Sequence, residues 1–165
     1  MTACSSLMFT VLALAAAGCS DVSGPNPAEQ IYSAALAQWN SDGPASYDMV
    51  LKRECNLSAT CDAAETDVTI EVRNDVVTSR TYVGTGDPQD PSDDDPVEAE
   101  NEDFYPDVPG LFAIVRNAMD GDPFFLSAEY DQDFGYPAII QLDMSASTNS
   151  DNVVYTVVSF TPVTP

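Results

Sequence analysis

The chain predicts an α+β domain, with helices packed on one face of an antiparallel sheet in the order α-β-β-β-α-β-β-β. Three observations carry this expectation. Apolar residues recur at helical spacing in two stretches, around Ile31 to Trp39 and Leu111 to Met119, and at alternate positions elsewhere. Clusters of Gly, Pro, Asn and Asp separate these stretches. The two halves repeat the order of elements, not the residues, on either side of an acidic segment.

The first helix begins at Pro27, with proline near a helix start and Glu29 in the first turn. Ile31, Ala35 and Trp39 form its apolar face, and Ser41-Asp42-Gly43-Pro44 stops it. Tyr47, Met49, Leu51 and Arg53 then alternate with Asp48, Val50 and Lys52 as a strand. A second strand covers 66–73, with Val68, Ile70 and Val72 pointing one way. Asn74-Asp75 suits a two-residue hairpin turn, and the third strand returns over 76–83.

Residues 84–107 break the pattern. They combine Gly84, Gly86, Pro88, Pro91, Pro96 and Pro106 with ten acidic residues. Low hydrophobicity and dense like charge predict a disordered or extended loop, with 87–104 dispensable for folding. The second helix follows with Leu111, Phe112, Val115 and Met119 on its apolar face, ended by Asp120-Gly121-Asp122-Pro123. Strands over 125–131, 136–144 and 153–160 complete the domain, the last two joined by a polar turn.

The N-terminal segment reads differently. Leu7 to Ala17 is an apolar run of eleven residues ending in Gly18-Cys19, and spanning a bilayer takes roughly twenty. A short apolar run closed by small residues reads as a secretory signal. Ala16-Ala17-Gly18-Cys19 resembles a lipobox, although that motif prefers Leu where Ala16 stands. Met1 to Met8 contains no Lys or Arg, a departure from the usual basic opening. An ordinary cleavable signal with a coincidental cysteine is the alternative. The organisation expected is thus a lipoprotein signal peptide over 1–18, a tether over 19–26 and a single domain over 27–165. Cys19 is the site expected to carry a palmitate-type lipid, which places the protein outside the cytoplasm, tied to the bacterial membrane on the outer-membrane or periplasmic face.

The chain holds 27 acidic and 5 basic residues and no histidine, for a net charge of −22. Such a chain repels nucleic acid and anionic lipid surfaces, so nucleic acid is not an expected partner. Cations and basic peptides remain open, beside the plain reading that an acidic surface keeps an exported protein soluble. Cys55 and Cys61 are the even pair left beyond the signal and anchor, and in an oxidising compartment they read as a structural disulfide. Zinc would need more ligands than this chain offers. A redox pair would need a lowered thiol pKa, whereas Glu54 and Asp62 flank these cysteines.

Without histidine, Ser-His-Asp and Cys-His arrangements are ruled out, no catalytic residue is assigned and no enzyme is expected. Carboxylates alone would leave a hydrolase of the two-acid kind as the remotest reading. Calcium needs six to eight converging oxygens. Asp93, Asp94, Asp95 and Glu98, and separately Asp131 and Asp133, are candidate ligands, with solvated acidic loops as the plainer account. Asp131-x-Asp133-x-Gly135 opens like a calcium loop, but Leu142 stands where the terminal Glu belongs. Tyr130, Phe134 and Tyr136 form an aromatic cluster that would suit a basic peptide or sugar if exposed. The competing reading has these rings capping the core, with Gly135 supplying a positive φ.

A closer resemblance lies in three blocks. Trp39 with Ser46 to Cys55 and Val68 to Val77 is the first, Val108-Pro109-Gly110-Leu111-Phe112 the second. Ala128-Glu129-Tyr130-Asp131, Phe134-Gly135-Tyr136-Pro137 and Ile140-Gln141-Leu142-Asp143 make the third. Together they resemble a bacterial family known only as a domain of unknown function, number 6174, common among lipoproteins. The resemblance runs over residues 36–160, with an acidic insertion at 87–107 longer than the family's linker. It implies no activity, cofactor or site residue. The function expected is therefore a lipid-anchored, non-enzymatic binding or accessory module of the cell envelope, for an unidentified protein or small molecule. A weak calcium-binding module is the alternative.

Overall fold

A computed structural model of the chain describes residues 26–55, 67–84, 95–144 and 152–164. The order is α1 (Pro27–Asp42), β1 (Tyr47–Cys55), β2 (Val68–Arg73), β3 (Val76–Tyr82), a 3₁₀ turn (Glu102–Phe104), α2 (Val108–Asp120), β4 (Phe125–Tyr130), β5 (Pro137–Asp143) and β6 (Val153–Pro162). All six strands join one antiparallel sheet in the order β3-β2-β1-β6-β5-β4. Two three-stranded meanders are thus fused at the centre, where the first strand meets the last.

This corrects the fold class. The α+β expectation is overturned by a single continuous sheet whose strands hold more residues than the two helices, so the domain is mostly β. The physical reason is the central ladder. β1 and β6 pair from Tyr47↔Pro162 to Cys55↔Val153, with one bulge at Val50/Leu51, and this pairing joins the two meanders into one sheet that outweighs the helices.

Local signals explain most element ends. Asn26 caps α1, its side chain accepting from the Ala28 N–H at 3.1 Å. Asp107 caps α2 in the same way, accepting from Gly110 N–H at 3.0 Å, with Pro109 in the first turn. Asn74 and Asp75 sit at φ 51° and 62°, the backbone a tight hairpin turn requires. Alternation then places Tyr47, Met49, Leu51, Val68, Ile70 and Val72 in the core, all at most 2% exposed. In α1 the inner stripe is Tyr32 and Ala35 with Leu36 and Trp39 beside them, while Ile31 is 57% exposed. Tyr32 displaces Ile31 because its ring meets Phe112 edge-on at 5.9 Å.

From residue 95 on, the acidic segment differs from expectation, whereas 85–94 lie outside the described residues. Residues 95–107 form a strap across the β1-β2-β3 half of the sheet. Val97 is 6% and Tyr105 is 1% exposed. The strap also covers the edge strand β3: Tyr82 N–H donates to Asp95 C=O at 2.8 Å and Val97 N–H to Arg80 C=O at 3.0 Å. Two inward-pointing arginines hold it. Arg80 Nε donates to Tyr105 C=O at 2.8 Å, and the Arg53 guanidinium lies 4.6 Å from the centre of the Phe104 ring. Buried apolar anchors and a cationic floor offset the repulsion that composition alone predicts.

Candidate functional site

The turn between β4 and β5 holds four of the nine residues expected to bind or ligate, Asp131, Asp133, Phe134 and Tyr136, with Tyr130 at the end of β4. Asp131 Oδ1 accepts from the N–H groups of Asp133 at 3.0 Å and Phe134 at 2.7 Å, an Asx turn that closes the loop. Asp131 N–H donates to Tyr136 C=O at 2.8 Å, and Gly135 N–H donates to Asp131 C=O at 3.1 Å. Gly135 has φ +82°, and a Cβ there would stand 2.6 Å from Ala35 C=O. The turn is pressed onto α1, where Gln38 Nε2 donates to Gln132 C=O at 2.8 Å.

The three aromatic candidates do not form an exposed cleft. Tyr136 is 9% exposed and stacks on Phe160 at 4.5 Å. Phe134 lies 5.7 Å from the same ring, and Tyr130 stacks on Phe112 at 6.2 Å. Trp39 meets Tyr47, Tyr136 and Phe160 edge-on. Trp39, Tyr47, Phe134, Tyr136 and Phe160 seal the core beside α1, β1 and β6, and Tyr130 packs against α2. Burial raises the Tyr130 and Tyr136 hydroxyls to about 12, the latter helped by Asp131. They are neutral donors at ordinary pH and poor bases.

The acidic candidates are divided. Asp131 is engaged in its turn, and Asp133 is exposed beside it. Glu98 accepts from Tyr82 Oη at 2.8 Å and Asn101 Nδ2 at 3.3 Å. Its carboxyl is held below the usual range by its own backbone N–H first, then by these two side chains. Asp95 contributes its carbonyl to β3. Asp93 and Asp94 lie outside the described residues. Among the described residues, no three acidic or cysteine side chains converge into a metal-holding group. Cys55, at the end of β1, is disulfide-bonded; Cys19 and Cys61 lie outside the described residues.

The features missed by sequence reading are surfaces. A groove of about 340 Å³ runs between α1 and α2, floored by Tyr32, Leu36, Trp39 and Phe112 with Arg116 and Asn40 at its rim. Arg116 makes a two-pronged pair with Glu29 at 2.6 and 3.1 Å, lies 3.5 Å from Asp120 and covers the Tyr32 ring at 4.7 Å. A second groove, about 220 Å³, lies between both helices and β4, lined by Ile31, Val115, Met119, Leu126 and Ala128. Phe124 and Phe125, at the start of β4, are 65% and 48% exposed. The absence of any Lys or Arg after Arg116 was the one signal in the sequence that this half of the domain differs from the other. Lys52, Arg53, Arg73 and Arg80 all stand on β1 to β3.

No curated protein and no solved structure matches the chain. One family does, over residues 32–162, a span that runs from the first turns of α1 to the last residue of β6 and takes in both meanders, the strap and the β4–β5 turn. On that match the chain belongs to the family of unknown function DUF6174.

Proposed function

We infer that this chain is a lipid-anchored protein of the bacterial cell envelope whose domain is a non-enzymatic binding or accessory module. The observation that carries the binding reading is apolar surface left open around one end of the sheet, where the exposed Phe124 and Phe125 line a groove of about 270 Å³ together with Leu142 and Val153. Large exposed apolar side chains gathered in one place mark interaction sites. The anchor rests on the apolar run to Ala17 and the Gly18-Cys19 junction. A disulfide-bonded Cys55 agrees with an oxidising compartment. The non-enzymatic reading is supported by the lack of histidine in the chain and by the structural employment of Asp131, Tyr130 and Tyr136.

Two measurements test this reading. Cell fractionation of Cys19→Ser should move the protein from membranes to the soluble fraction, because acyl chains worth about 0.8 kcal/mol per buried CH₂ are lost. Retention after a salt wash would overturn the anchor. Cross-linking of the full chain in intact envelopes should yield one defined adduct, and its absence would overturn the binding role.

A further inference from the structure

We propose that the β4 edge of the sheet is a docking site for an extended basic peptide, one whose apolar and Lys or Arg residues alternate. This rests on the binding-module reading and names the partner class. Sheet edges are normally blunted by lysine, proline, a covering segment or short length. The β3 edge is covered by the strap, through Thr81↔Pro96 pairing and the Val97 N–H bond to Arg80 C=O. β4 has no covering segment among the described residues: it pairs with β5 alone, its six residues Phe-Leu-Ser-Ala-Glu-Tyr contain no lysine or proline, and its one bulge lies at the far end, at Glu129/Tyr130. Alternate N–H and C=O groups of an antiparallel edge strand point outward and can accept a further strand.

The side chains specify what fits. Leu126 and Ala128 face inward, into the groove that Ile31, Val115 and Met119 complete. A strand laid on β4 would drop every second side chain beside them, and these must be apolar. The intervening side chains fall on the other face, beside the exposed Phe125 and Glu129. Asp120 and Asp122 stand exposed just before the strand, and Asp133 just after it. Arg116, on α2, is already paired with Glu29 and Asp120. With no Lys or Arg anywhere after Arg116, nothing in this half of the sequence repels a positive charge. Cross-strand Lys–Glu pairing and cation contact with Phe125 favour basic residues at those positions. A second copy of this chain, at −22, is disfavoured by the same charge.

The test uses the full chain in detergent and three fluorescent peptides. One alternates valine and lysine, one alternates valine and glutamate, and one keeps the valine–lysine composition with a central proline. The first should bind, the second should not, and the proline peptide should bind at least about tenfold more weakly, because proline removes a ladder hydrogen bond. Glu129→Lys and Ile31→Lys, both at exposed positions, should each weaken the first peptide by about fivefold or more. Equal binding of the first and third peptides would reduce the effect to bulk charge and overturn the edge proposal. So would binding that neither substitution alters, which would leave a binding module with its site elsewhere. Failure of all three peptides to bind would overturn the edge proposal, while the envelope cross-linking experiment decides the wider reading separately.

Discussion

Tyr105→Ala should cost the domain about 3–5 kcal/mol, the range for deleting a buried aromatic ring. Tyr105 is 1% exposed and meets Tyr82 edge-on at 6.4 Å. It is the deepest anchor of the strap, and its carbonyl receives Arg80 Nε at 2.8 Å, a bond that alanine retains. The loss therefore measures ring burial rather than the arginine contact. A domain of this kind has roughly 5–15 kcal/mol in total, so the substitution removes a large share. At roughly 2–4 °C per kcal/mol for a chain of this size, Tm should fall by about 6–20 °C. Urea unfolding followed by Trp39 fluorescence is the assay, since Trp39 is the single tryptophan and packs against Tyr47, Tyr136 and Phe160. Glu102→Gln is the control. It removes a half-exposed partner of Arg80 at 3.3 Å and should cost under about 1 kcal/mol. If Tyr105→Ala costs no more than Glu102→Gln, the strap is loose and the reasoning from burial fails.

Gly135→Ala should destabilise by at least about 1–2 kcal/mol, because φ is +82° there and the new Cβ would stand 2.6 Å from Ala35 C=O; a neutral result in the same urea assay would contradict the turn geometry. Stability should fall at high pH. Burial, aided by Glu98, raises Tyr82 to about 12, and burial raises Tyr130 and Tyr136 similarly. Folding favours their protonated form, so this contribution is whole below the ordinary value of 10 and is lost as pH rises from there through about 12. Ultraviolet titration of the folded protein should show these tyrosines ionising late, and ionisation of all of them at their unfolded value would refute it. Calcium at millimolar concentration should leave Tm unchanged, since a ligand of the native state must raise it; a clear rise would revive the acidic candidates. Non-reducing mass spectrometry should link Cys55 to Cys61, and reduction should lower Tm by several degrees through loss of about 2–3 kcal/mol.

Local chemistry was the readable part of this chain. The helix start at Pro27, the Asn74-Asp75 turn and the alternation of Tyr47, Met49 and Leu51 each depend on neighbours within a few residues, and each is where the sequence places it. Non-local pairing was not readable. β1 and β6 lie about a hundred residues apart in sequence, and nothing in either names the other as a partner, yet their ladder makes the sheet continuous and the domain mostly β. The strap was hidden by its own charge. Val97, Phe104 and Tyr105 are three anchors scattered among carboxylates, and their signal lay elsewhere, in Arg53 and Arg80 occupying inward positions of strands that would otherwise be apolar there. Phe134 and Tyr136 pack inward on Phe160, because Gly135 folds their turn back onto α1, whereas Tyr130 packs separately on Phe112.

The most direct measurement of the central claim is residue-resolved hydrogen exchange of the full chain, with and without the valine–lysine peptide. The free protein should show fast exchange at alternate amides of Phe125–Tyr130, those facing away from β5, and slow exchange at the ones between. Adding the peptide should slow the fast set and leave the α1–α2 groove unchanged. Amides of β4 that are all slow beforehand, or protection that appears anywhere other than this edge, would contradict the account.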